Sequence, residues 1–376
     1  MGKWKMVRLG DVLDYEQPTK YIVQSTDYND GCSTPVLTAG QSFILGYTDE
    51  KDNIFSENLP VIIFDDFTTA IKYVDFPFKV KSSAMKILQA QPNADIKYLY
   101  YYMTTIKADT QLHRRYWISK YSNILIPLPP LPTQQKIADI LDRASTLIEK
   151  RKAQIAKLDL LVKSQFVEMF GDPVRNPMGW EAKKLGDIVK VRSSKRVYQR
   201  EQTSSGLPFL RVSDLVSKIV DRIDTCELYI SETLYEEFRK GGFVPKTGDI
   251  LVTSRGTLGL CYIVNEQDKF YFQDGMISWL HKKETTVDSM YLSYLFQSNE
   301  IRRQIDRVSA GSTVNYLSLA NLESLKILYP PLDLQTKFAD FVERVEAQKA
   351  RMREGLGLME MGYKALMQRC FEGEIG

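Results

Sequence analysis

Pro129-Pro130-Leu131-Pro132-Thr133-Gln134-Gln135-Lys136-Ile137-Ala138-Asp139 returns near the end of the chain as Pro330-Pro331-Leu332-Asp333-Leu334-Gln335-Thr336-Lys337-Phe338-Ala339-Asp340, a shift of 201 positions (330 minus 129). The segment after each proline pair is long and regular. From Thr133 to Phe170 there is no glycine or proline. Residues at alternating spacings of four and three run Ile137, Leu141, Ala144, Ile148, Arg151, Ile155, Leu158, Val162, Gln165, Met169. This is a heptad seam with Arg151 and Gln165 as polar interruptions. The same shift yields a second seam: Phe338, Val342, Val345, Lys349, Met352, Leu356, Met359, Tyr363, Leu366, Cys370. At about 1.5 Å per residue each helix is a rod of roughly 57 Å. A seam of that length faces another helix rather than only its own domain, and one cation in each can set register or partner choice.

A second repeat lies outward from the first. Trp4, Leu9, Gly10, Asp11 and Val12 match Trp180, Leu185, Gly186, Asp187 and Ile188, a shift of 176 (180 minus 4). The chain is therefore a duplicated unit, a globular part followed by a long helix, with about 25 extra residues in the second copy (201 minus 176). Gly171-Asp172-Pro173 and Asn176-Pro177 break the first helix. If the second helix returns beside the first, the two form an antiparallel coiled coil with a globular part at each end. A two-fold chain suits a target read in two halves, such as a bipartite DNA site.

The globular parts read as α+β. Val61-Ile62-Ile63-Phe64 is a buried-strand run ending at Asp65-Asp66, Ala84–Leu88 is another strand, and Ile96–Ile106 is an aromatic helix. Gly248-Asp249-Ile250-Leu251-Val252 takes the first strand's place in the second copy. Thr257 and Tyr262 come after Thr68 and Tyr73 by 189, Met276 after Met85 by 191, and Tyr291 after Tyr98 by 193. The drift places small insertions in loops.

A chain of 376 residues supports two or three domains with real cores. No apolar run approaches a membrane span, and the start Met1–Arg8 lacks the apolar core of a signal peptide. Cys32, Cys226, Cys261 and Cys370 are scattered, which suggests neither a disulfide framework nor a zinc site and fits a reducing cytoplasm. Net charge is +3, too small to nominate nucleic acid by itself. Within Lys183–Arg200, however, Lys183, Lys184, Lys190, Arg192, Lys195, Arg196 and Arg200 stand against Asp187 alone, a strip able to track phosphates.

At these residues the chain resembles the specificity subunit of a type I restriction–modification system, over nearly its whole length. The carriers are Ile126-Pro127-Leu128-Pro129-Pro130-Leu131-Pro132-Thr133-Gln134-Gln135-Lys136-Ile137, Met169-Phe170-Gly171-Asp172-Pro173-Val174 with Trp180, Pro60–Thr68, and Gly248–Leu251 with Gly256-Thr257-Leu258-Gly259. The resemblance implies target-recognition domains at 1–130 and 181–330, spacer helices at 131–171 and 331–376, and a linker at 172–180. It also implies that each domain reads one half of an interrupted DNA sequence while the helices set the gap. The helices would dock two modification subunits that methylate adenine with S-adenosylmethionine. Two ATP-driven restriction subunits, with Mg2+, would complete the nuclease. The chain departs from the pattern in two places. Asp333-Leu334 replaces Pro132-Thr133, and Gly355, Gly357 and Gly362 lie within the second seam. Each of these glycines costs up to ~1 kcal/mol of helix propensity, so that helix is expected to bend or to rely on partners.

The chain carries no evident catalytic apparatus. His113 and His281 are its two histidines, no phosphate-binding loop occurs, and the Asn/Asp-Pro-Pro-Tyr/Phe signature of adenine methyltransferases is absent. Asp65-Asp66 at a strand end suits turn chemistry, or a base-edge acceptor, better than a metal site. The expected role is non-catalytic, with no cofactor bound directly. A metal-dependent nuclease or methyltransferase in its own right, and a coiled-coil scaffold for proteins, are the alternatives. Magnesium-dependent cutting, S-adenosylmethionine binding or a failure to bind DNA would distinguish them.

Candidate DNA contacts sit on loops at the ends of strands. In the first half they are Thr38, Gly40, Gln41 and Ser42; Asp66, Thr68 and Thr69; and Arg114, Arg115, Tyr116 and Lys120. In the second half they are Ser193, Ser194, Lys195 and Arg196; Arg211 and Ser213; Thr253, Ser254, Arg255 and Thr257; and Ser312. Arg255, on a loop beside glycine, is the first choice for a guanine reader because arginine can bond O6 and N7 together. Trp117 reads as core.

Overall fold

A computed structural model describes residues 4–38, 42–107, 116–282, 287–309 and 315–375. By contact the chain divides into Met1–Ala153 with Arg353–Gly376, and Gln154–Met352. The division falls inside each long helix rather than at the ends of the 131–171 and 331–376 segments, because the two ends of each helix pack into different cores.

In the first unit β1 (Lys5–Arg8), β2 (Leu13–Glu16), β3 (Thr34–Leu37), β4 (Ile44–Thr48), β5 (Val61–Asp65), β6 (Ile71–Val74), β7 (Lys79–Val80) and β8 (Met85–Ala90) precede α1 (Ile96–Thr104). Then come α2 (Tyr116–Ser119), β9 (Leu125–Leu128) and α3 (Leu131–Phe170). The sheets run β2-β8-β5-β6, β4-β3-β7 and β1-β9. The apolar run of β5 is explained by burial on both faces. Ile62 and Phe64 enter the core under α1 and α3, while Val61 and Ile63 enter a second core with Leu37 and Val80.

The second unit repeats the order. It contains β10 (Ala182–Lys184), α4 (Leu185–Ile188), β11 (Val189–Arg192), β12 (Gln202–Thr203), β13 (Leu207–Leu210), α5 (Val212–Val220), β14 (Tyr229–Ile230) and α6 (Glu232–Lys240). It continues with β15 (Ile250–Thr253), β16 (Cys261–Ile263), β17 (Tyr271–Phe272), β18 (Ile277–Lys282), α7 (Ser289–Phe296), α8 (Asn299–Ser309), α9 (Leu319–Ser324), β19 (Lys326–Leu328) and α10 (Leu332–Glu372). Its sheets β11-β18-β15-β16 and β10-β19 match those of the first unit strand for strand. The parallel pair β13–β17 matches β3–β7. Helices α5 and α6, between β13 and β15, account for much of the extra length.

The repeated residues hold equivalent contacts. Gln134 and Gln335 are fully buried. Each amide donates to its own proline pair, at Pro129 O and Pro330 O, both at 2.8 Å. Each accepts from the first residue of a helix cap, Asp95 N at 2.7 Å and Asp288 N at 2.9 Å. Those aspartates in turn cap α1 and α7 through Tyr98 N and Tyr291 N. Gly10 and Gly186 are small for one reason: a Cβ would stand 3.0 Å from the Cβ of Ser122 or Glu323.

Both long helices are unbroken, α10 included through its three glycines. Every residue of the two seams is buried or half-buried. In the first unit Lys152 Nζ is 3.2 Å from Glu360 Oε1, and Leu366 and Cys370 pack with Ile137 and Leu141. In the second, Phe338 meets Phe166 and Phe170 at centroid distances of 5.4 and 5.5 Å, and Lys349 pairs with Asp159 at 2.5 Å. Numbering falls along one helix as it rises along the other, so the pairing is antiparallel. The architecture is thus two similar α+β domains joined by two long helices in an antiparallel coiled coil. Lys349, buried at 2% exposure, also bonds Glu346, while the guanidinium of Arg151 lies 3.3 Å from where a Cβ on Gly355 would sit. No described helix is long and apolar enough to cross a membrane.

Candidate nucleic-acid interface

In the second unit the turn after β15 is built by its own polar groups. Thr253 Oγ accepts from Leu260 N at 3.0 Å and donates to the Thr257 carbonyl. Gly256, at φ +71°, takes a backbone conformation that a larger residue resists. This leaves Arg255, Gly256 and Thr257 exposed. Ser254 N–H donates to Met276 O at 2.9 Å, and its carbonyl accepts from Leu317 N at 2.9 Å. Arg255 and Tyr316 form an antiparallel bridge. Gly275 N–H donates to Ser193 Oγ at 3.2 Å, and Arg196 Nε lies 2.9 Å from Asp274 Oδ2. That carboxylate raises the guanidinium's already high pKa further. Four segments far apart in sequence thus share one edge.

The first unit places its segments alike. Asp65 Oδ1 accepts from Phe67 N and Thr68 N, both at 2.8 Å, closing a turn that leaves Phe67 and Thr68 exposed. Asp66 N–H donates to Ala84 O at 3.2 Å, and its carbonyl accepts from Tyr116 N at 3.0 Å. Lys81 N–H bonds Leu37 O and Thr38 N–H bonds Phe43 O, each at 3.0 Å, so Thr38 and Phe43 stand close to the start of Lys81-Ser82-Ser83. In the second unit Gln273 N–H bonds Leu210 O at 2.9 Å and brings Arg211 to the matching place.

Ser42, Thr68, Lys120, Lys195, Arg196, Ser213, Arg255 and Thr257 are exposed, and Thr38, Thr69, Ser193 and Arg211 are half-buried. Gly40, Gln41, Arg114, Arg115 and Ser312 lie outside the described residues. Five of the sequence-based candidates are corrected, because burial keeps their side chains from a duplex. Asp66 bonds Trp117 N and Lys86. Tyr116 is packed in the core with Trp117. Ser194 Oγ donates to Phe272 O at 2.8 Å, Thr253 closes its own turn, and Ser254 pairs with Ser278 at 2.6 Å. Arg211 is engaged by Asp214 and Glu227, each at 3.1 Å, at the start of α5. Lys195 reaches Glu237 at 3.2 Å.

The edge also carries residues that sequence reasoning passed over: Lys81, Ser82 and Ser83, the Asp274-Gly275-Met276 turn, and exposed Tyr316. Lys81-Ser82-Ser83 repeats the small, polar and basic character of Ser193–Arg196, a signal that was present. Nothing local marked Tyr316, whose place comes from its bridge to Arg255. Among the described residues no three His, Cys, Asp or Glu side chains cluster to hold a metal ion. Asp249 beside His281 is taken up by Trp279 Nε1, Lys246 N and Lys282 N, which tie β18 to β15.

The family model of the type I restriction modification DNA specificity domain matches residues 1–158 and 177–356. The chain belongs to this family. Its function is DNA specificity within a type I restriction–modification system. The chain is 46% identical to the Escherichia coli type I restriction enzyme EcoR124I/EcoR124II specificity subunit, across 93% of this chain and 88% of that one. It is 26% identical to a putative type I specificity subunit of Haemophilus influenzae, across 85% of this chain and 81% of that one. The fold resembles the type I S subunit from M. genitalium, with a TM-score of 0.63 at 15% identity, covering 98% and 96% of the two chains. It also resembles a chain from a study of type I R-M complex assembly and conformational transition, with a TM-score of 0.56 at 17% identity, covering 100% and 98%. These two likenesses concern fold alone.

Proposed function

We propose that the chain is a non-catalytic reader of a bipartite DNA site, with the domain at 1–130 reading one half and the domain at 181–330 the other. The helical segments at 131–171 and 331–376, with the 172–180 linker between domains, hold the halves at a fixed spacing. One observation carries this reading. In both units an exposed strand-end turn is fastened, through the carbonyl of its second residue, to the main chain of a segment far along the sequence. Asp66 O accepts from Tyr116 N and Ser254 O from Leu317 N. Two copies of one loop-presenting device suit two half-sites.

The chemistry belongs to partners. Two modification subunits methylate adenine with S-adenosylmethionine, and two restriction subunits cut with ATP and Mg2+, in the cytoplasm. The test is gel-shift of the chain with its modification subunit on probes carrying half-sites at randomised spacing, joined to sequencing of methylated adenines in host DNA. A methylated motif of two fixed halves around a fixed gap is expected. Magnesium-dependent cutting by the purified chain, or no DNA binding with any subunit combination, would overturn the reading.

A further inference from the structure

Across β5–β8, Phe64 opposes Lys86, and across β15–β18, Val252 opposes Ser278. Asp66 with Lys86 and Ser254 with Ser278 therefore occupy the same two positions in the two units. One is a buried ion pair, Lys86 Nζ to Asp66 Oδ2 at 3.4 Å, and the other a buried hydroxyl pair at 2.6 Å. All four residues are at most 4% exposed. The fold accepts either pair, so it does not require charge there, and buried ion pairs seldom stabilise more than apolar replacements. The pairs differ in what else they hold. Asp66 Oδ1 accepts from Trp117 N at 2.8 Å, a second bond beside the main-chain bond to Tyr116. Ser254 makes no bond to Leu317 with its side chain. The bridge between Arg255 and Tyr316 gives the second attachment instead. Lys86, with its ammonium 4.4 Å from the centre of the Tyr15 ring, steadies the other carboxylate oxygen.

We propose that Asp66 is a positioning residue for DNA recognition by the first unit: its buried carboxylate fixes the Phe67–Thr69 turn against the Tyr116–Trp117 segment without touching DNA, and Lys86 orients it. This rests on the reading that each unit reads its own half-site. Two variants separate positioning from stability. Asp66→Ser with Lys86→Ser copies the hydroxyl pair of the second unit, so no charge is stranded, but Trp117 N–H loses its acceptor. Asp66→Asn keeps an oxygen for Trp117 while leaving Lys86 unpaired.

The experiment selects DNA from a randomised pool with the intact complex of chain and modification subunit, and tracks hydrogen exchange at the Trp117 amide. The double serine variant is expected to melt near the wild type, to exchange Trp117 faster, and to discriminate at one half-site roughly tenfold or more weakly. Its other half-site stays unchanged. Asp66→Asn is expected to melt lower yet keep both half-sites and slow Trp117 exchange. Wild-type discrimination at both half-sites in the double serine variant, or slow Trp117 exchange in it, overturns the proposal. Fast exchange with both half-sites lost together sustains the anchor and overturns the assignment of one half-site to each unit.

Discussion

Arg255 combines exposure with a backbone that is not free to move. Its turn is closed by Thr253, its main chain bridges Tyr316, and its guanidinium lies 3.7 Å from Met276 Sδ. A preorganised arginine can give a base-specific bond without a large ordering cost. Arg255→Ala is expected to relax preference at one base pair by about 1–3 kcal/mol, measured as binding to probes substituted singly through the site. Equal weakening on all probes, with a shallower salt dependence, would instead assign Arg255 to a phosphate. Residue type marked Arg255 as the first choice, but it also placed Asp66 and Ser254 among the candidates. A polar residue at a strand end can face solvent or satisfy a neighbouring segment, and composition does not distinguish them. The deciding partners, Trp117 and Ser278, lie 51 and 24 residues away.

Among the elements, the proline-pair repeat shows why identical residues recur far apart. Gln134 and Gln335 each join the start of a long helix to the cap of a domain helix, with donor and acceptor both used and no access to water. Truncation strands a carbonyl and an N–H, which costs about 1–3 kcal/mol per unsatisfied group. Gln134→Ala and Gln335→Ala are each expected to lower unfolding free energy by that order in denaturant titrations, and a change below ~0.5 kcal/mol would contradict the buried bridge.

The helical faces also carry a pH signature. Burial, with the neighbouring Tyr100, Asp142 and Cys370 charges adding to it, pushes Tyr363 up to about 12. Burial does the same to Tyr294, where Glu346 and Asp159 add to it. The folded state keeps phenol protons that the unfolded chain releases above its value of 10.0. This stabilisation is complete below that pH and is lost as pH rises toward 12. Melting temperature should fall steadily across that window, and a flat profile would mean these phenols are solvated.

For the molecule as a whole, both long helices run unbroken between two separately packed cores, so the proposed spacer role ties helix length to the gap between half-sites. Seven residues added between Ala153 and Gln154, with seven more between Met352 and Arg353, keep both seams in phase. One heptad adds about 10 Å, the length of about three base pairs, so the recognised gap is expected to lengthen by about that number. The gap is read from methylated motifs in DNA modified by the altered complex. An unchanged gap with intact half-sites would refute the ruler role of the helices.

Periodicity and repetition, both local and additive, were enough for the duplication, the two seams, the paired strand runs and the family. Heptad spacing states which face of a helix is apolar, and a shift of 201 states that the same contacts are made twice. Tertiary structure alone decided which polar residues stay on the surface. It also decided that Lys81, Asp274–Met276 and Tyr316 join the edge, and that one position holds an ion pair in one unit and two hydroxyls in the other. Those outcomes depend on hydrogen-bond partners brought together by strand pairing across the chain, and a side chain's need for a partner does not say which partner the fold supplies.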